Sequence, residues 1–146
     1  MDRGLAVALT TFAGGLIAMQ APINGRLGTA VGGFQAAFFS FVVGGALLAV
    51  VVALGSGFGG LGEVRSVPVV YLVGGMLGAV YVVTALTTVK TLGAGGVTAA
   101  TIAGQLTLSL VVDQFGLFGV EKSPITPARL LGVLVLALGV WLVVRD

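Results

Sequence analysis

A chain of 146 residues that is 58% hydrophobic and 8% charged, with a mean hydropathy of +1.18, is not built to face water. A soluble domain covers its surface with roughly 25% charged residues, so the solvent expected here is a lipid bilayer. The chain has no cysteine and no histidine, which removes disulfides, thiolate metal sites, thiol nucleophiles and the commonest acid/base side chain; neither an enzyme nor a metal or cofactor site is expected. A pI near 9.5 does not point to nucleic acid, because the basic residues stand singly and form no patch.

The seven Lys or Arg and five Asp or Glu residues punctuate charge-free stretches from Gly4 to Gly25, Leu27 to Gly62, Ser66 to Val89, Thr91 to Val112 and Leu130 to Val144. About 20 apolar residues cross a bilayer. The pattern predicts an all-α integral membrane protein, one domain over 1–146, with five transmembrane helices near residues 4–24, 33–54, 67–89, 95–118 and 127–144.

The first stretch could be a secretory signal peptide. However, Asp2 offsets Arg3, cleavage after Ala21 would leave Pro22 next, and more spans follow, so it is expected to be retained. Its end, "MQAPINGRLG", puts Gln20 and Asn24 four apart on one face with Pro22 between them. Proline donates no backbone hydrogen bond, so the Ala18 carbonyl loses its usual partner and the helix should kink or end. Interrupted helices at membrane depth line cavities in transporters, which makes Gln20 and Asn24 candidate solute ligands. The alternative is a helix end at the membrane surface, with Arg26 among the headgroups.

Glycine recurs within the spans, as in Gly14-Gly15, Gly44-Gly45, the "GGMLG" of Gly74, Gly75 and Gly78, and Gly132 and Gly139 one heptad apart. Small residues let apolar helices approach closely where lipid tails give no drive to associate, so these are packing surfaces, within one chain or at a dimer seam. In the fourth predicted helix, Thr98, Thr101, Gln105, Ser109 and Asp113 fall at steps of three and four and share one face. Such a stripe lines a polar path or hydrogen-bonds helices together, and an intramembrane carboxylate favours the path. The fifth helix is short and should start near Pro127, with Arg129 reaching out to the headgroups.

With five spans the termini lie on opposite sides. One side then carries Arg3, Arg65, Lys122 and Arg129, and the other Arg26, Lys90 and Arg145. Because the Lys/Arg excess sets orientation, so even a count permits insertion both ways and pairing with an inverted copy. A single orientation with the amino terminus in the cytoplasm is the alternative.

Four blocks resemble the YdcZ-type branch of the drug/metabolite transporter superfamily, along nearly the whole chain. They are "QAPINGRLG" (Gln20, Asn24, Leu27, Gly28), "GGMLGAVYVVT" (Gly74, Gly75, Gly78, Tyr81), "GQLTLSLVVDQFG" (Gly104, Gln105, Leu106, Ser109, Asp113, Phe115, Gly116) and "RLLGVLVLALGVWLV". The third is the most specific. Members often carry a basic or aromatic residue after the aspartate, where this chain has Gln114. The resemblance implies a short five-helix half-transporter, in which two antiparallel copies or a paired homologous subunit make the working unit.

A more distant similarity is to the small multidrug resistance proteins, whose first helix carries a glutamate. No carboxylate lies inside the first span here, so their drug/proton exchange is not carried over. The expected protein is a bacterial inner-membrane, multi-pass transporter of a small solute, with the bilayer as its surroundings. Its expected ligands are Gln20, Asn24, Tyr81, Gln105 and Ser109, with Asp113 the coupling candidate. A dual-topology small-ion channel and a non-transporting subunit that stabilises a partner are the alternatives.

Overall fold

The computed structural model describes residues 2–55 and 57–145, and among them it is helical, with no strand. The α-helices are α1 (Arg3–Val31), α2 (Gly33–Leu54), α3 (Gly74–Phe115) and α4 (Pro127–Val144), with short 3-10 segments at Gly59–Ser66, Val69–Leu72 and Leu117–Gly119. Four helical stretches are long and apolar enough to cross a membrane. The 42 residues of α3 rise about 63 Å, twice the ~30 Å of a hydrocarbon core. One residue breaks it: Gly93, at φ 67° and ψ 170°, a conformation open essentially to glycine alone. The third and fourth predicted spans are therefore the two segments of α3 on either side of Gly93.

Predicted and observed ends differ in three places. The first span does not stop at residue 24, because α1 continues through Pro22 to Val31, and Gly32 alone separates it from α2. Proline removes one backbone donor, and the turns beyond it are held by packing: Asn24 and Gly25 are buried. The third span begins at Gly74 rather than residue 67. Val67 is extended (φ −89°, ψ 147°), as a residue preceding proline is driven to be, and Pro68 opens only a 3-10 turn. The fourth ends at Phe115 rather than residue 118, where Gly116 in the left-handed conformation (φ 63°, ψ 39°) caps it. The second and fifth spans match at 33–54 and 127–144. Thr126 accepts a hydrogen bond from the Arg129 backbone N–H and Pro127 takes the first turn of α4.

The chain divides into two compact units. The central unit is Met19–Lys90, and its core is Ala37, Val82 and Leu86, with Tyr81 and Val83 packed against them. Close approach here depends on glycines outside the paired motifs. A Cβ on Gly25 would lie 2.8 Å from Val89 Cγ1, and one on Gly33 3.2 Å from Leu86 Cδ1. Gly78 is the member of "GGMLG" that meets another helix, its Cβ position lying 3.4 Å from the Phe41 ring.

The terminal unit is Met1–Ala18 with Thr91–Asp146. There Val97 and Leu110 are buried, and Gly96 lets α3 approach Val144 of α4, 3.5 Å from its Cβ position. At Gly14, Gly15, Gly44, Gly45, Gly74, Gly75, Gly132 and Gly139 an added Cβ would meet nothing within 4 Å. These small-residue surfaces are not occupied by packing within the chain.

Candidate solute site

In the central unit, α1 and α2 meet through a polar contact within an apolar surround. Asn24, 6% exposed, donates from Nδ2 to Ser40 Oγ at 3.1 Å. Beside this pair is a cleft of about 270 Å³ lined by Gln20, Ser40, Phe41, Gly44, Gly45 and Leu48. Gln20 and Asn24, four apart in sequence, thus relate to Ser40 differently: Gln20 shares the cleft lining with it, and Asn24 donates to it. Gln20 is half-buried and makes no hydrogen bond among the described residues. Tyr81 is half-buried against the Ala37, Val82 and Leu86 cluster and does not line the cleft. Ser40 escaped the sequence reading because it stands without a polar neighbour at helical spacing. The available signal was that α2 carries just two polar side chains, Gln35 and Ser40.

In the terminal unit the polar face of α3 is graded. Thr98 lines a largely apolar groove of about 560 Å³ with Ile102, Leu136, Gly139 and Val143 among its walls. Thr101 is half-buried, and Gln105 and Ser109 are exposed. The Ser109 hydroxyl donates to the Leu106 carbonyl of its own helix at 2.9 Å. Among the described residues, none of Thr98, Thr101, Gln105 and Ser109 hydrogen-bonds to another helix.

Asp113 behaves differently from the rest of the stripe. Its Oδ2 accepts from Arg129 Nη1 at 3.4 Å, and the same Nη1 donates to the Ser123 carbonyl at 3.2 Å. The Asp113 carbonyl accepts from the Ser123 N–H at 2.9 Å, and Gln114 Oε1 accepts from the Ile125 N–H at 2.7 Å. The loop leaving α3 is thereby folded back onto the start of α4. Arg129 thus bridges Asp113 and the loop. The two side chains are 37% and 31% exposed, so the ion pair itself contributes about 0.2–1 kcal/mol. Among the described residues no group of three or more acidic, His or Cys side chains could hold a metal.

The profile of the family described as "Putative inner membrane exporter, YdcZ" matches residues 5–142. The comparisons with curated proteins and with solved structures find no match. The match covers nearly the whole chain, and the chain belongs to this family. With four helical stretches able to cross a bilayer, it is a multi-pass inner-membrane protein.

Proposed function

We propose that this YdcZ-family chain is a secondary transporter of a small solute, working by alternating access as an antiparallel pair of inverted copies or beside a homologous subunit. Family membership over residues 5–142 is the observation that carries the transport reading. In it the chain is one five-span domain. In the central unit Gln20 contacts solute and Asn24 acts through Ser40, with Tyr81, packed on the Ala37, Val82 and Leu86 cluster, a further candidate ligand; Gln105 and Ser109 line the path in the terminal unit, and Asp113 is the coupling carboxylate. The exposure of Gln105 and Ser109 on the polar face of α3 supports a polar path there. Two inverted copies in slightly different shapes open one side by exchanging shapes, as inverted repeats do in larger carriers. The near-even distribution of basic residues and the glycine surfaces left open within the chain support that pairing.

Reconstitution tests the reading directly. Purified protein in liposomes should accumulate solute from a metabolite pool, saturably and against its gradient. Non-saturable flux down a gradient would make the protein a channel, and activity that requires a second gene product would make it an accessory subunit. Orientation gives a separate expectation. Two lysines added beside Arg145 should draw the carboxy terminus to the cytoplasm, and two beside Arg3 should do the reverse, as read by reporter fusions. An unmodified chain found wholly in one orientation would rule out self-paired inverted copies.

A further inference from the structure

Ser40 is the helix hydroxyl that receives a hydrogen bond from a side chain of another helix among the described residues. Thr10, Thr84, Thr87, Thr88, Thr107 and Ser109 each donate to a carbonyl three or four residues back in their own helix. Among the described residues no carbonyl takes the Ser40 proton. Its oxygen accepts from the buried Asn24 instead, which fixes the hydroxyl in place and leaves its O–H to donate elsewhere. The cleft that it lines also offers the free amide of Gln20, a donor and an acceptor, over walls of Phe41, Leu48 and the open backbone at Gly44 and Gly45.

We propose that this cleft is the solute site and that it takes a small uncharged molecule with a carbonyl or carboxamide on an apolar body, its oxygen accepting from Ser40 and its polar edge paired with Gln20. The inference rests on the transport reading above and names where, and of what class, its solute is. Size follows from the volume. Sites for drug-sized ligands run from about 300 to 1,000 Å³, and this one is about 270 Å³, the scale of a small metabolite. Charge follows from the lining. No ionised side chain borders the cleft, so an ion entering it would lose its hydration without gaining a counter-charge. Asn24 is a positioning residue, holding Ser40 through its hydrogen bond. Gly44 and Gly45 keep the cleft open, since a Cβ at either position meets nothing within 4 Å.

The absence of cysteine makes a single thiol a clean reporter. Gly44→Cys, which lines the cleft and keeps the Ser40 hydroxyl, should be alkylated in membrane vesicles by iodoacetamide from water. Benzamide should slow that alkylation about fivefold once it stands at about four times its dissociation constant. Benzamidine, its cationic counterpart, and benzoate, its anionic one, have nearly the same size and should leave the rate unchanged. Adding Gly45→Leu should fill the cleft and abolish the benzamide effect, while Val51→Cys, outside the lining, should show no benzamide effect at all. Where Gly44→Cys fails to yield folded protein, Leu48→Cys reports on the same cleft.

A folded Gly44→Cys or Leu48→Cys protein that resists alkylation, or that either ion protects as well as benzamide does, overturns the proposal. Transport is not read in this experiment. Failed protection beside intact uptake in liposomes would move the site and keep the transporter, and protection without uptake would keep the site and remove the transporter.

Discussion

Replacing Gly25 with leucine should leave little correctly folded protein. A Cβ at this position would already lie 2.8 Å from Val89 Cγ1 and 3.7 Å from the Leu86 carbonyl oxygen. Val89 is β-branched and cannot swing away freely, and the remaining leucine atoms would press on the α3 backbone behind it. Overpacking of a filled core costs about 1–3 kcal/mol, and more when backbone must move. That strain falls on the turns just past Pro22, where α1 has already lost one backbone hydrogen bond. Gly15→Leu is the control, because a Cβ there meets nothing within 4 Å. In detergent, Gly25→Leu should lower the monodisperse yield and the melting temperature sharply, with Gly25→Ala intermediate and Gly15→Leu close to the parent. Equal behaviour of the three would mean that α1 does not pack on α3 through this face.

The helical membrane architecture was legible from the sequence because in lipid it depends on long apolar runs between charges, and such runs need no knowledge of the tertiary structure. The bounds of α4 were legible for a local reason, the Thr126-Pro127 start signal, which the structure uses as a cap. The extent of α1 was not. Proline is a local stop signal, and what carries the helix past it is packing of Asn24 and Gly25 against helices that come later in the chain. The candidate site divides along the same line. Gln20 and Asn24 announced themselves by their spacing, whereas Ser40 matters because Asn24 reaches it from 16 positions away. No periodicity reports a partner on another helix. Asp113 and Arg129 are also 16 apart, so a carboxylate read as isolated within an apolar run turned out to have a cation beside it.

That pairing sharpens what Asp113→Asn should do. A coupling carboxylate must bind and release a proton in each cycle, so the amide should abolish accumulation driven by a pH gradient while sparing exchange of solute across the membrane. Arg129→Gln removes the same ion pair but leaves a carboxylate free to cycle, so pH-driven accumulation should persist. Both variants weaken the clasp of the α3–α4 loop; both side chains are about one-third exposed, so loss of the ion pair costs each about 0.2–1 kcal/mol, and Arg129→Gln costs more because it also gives up the bond to the Ser123 carbonyl. The two roles thus separate on one pair of variants. Asp113 as a coupling residue predicts the smaller stability loss for Asp113→Asn together with lost accumulation, and accumulation kept by Arg129→Gln. As a loop fastener alone, it predicts the same order of stability losses and accumulation retained by both. In that case the coupling role passes from Asp113 to a group outside this loop, and Gln105 and Ser109 remain as the polar lining of the path in the terminal unit.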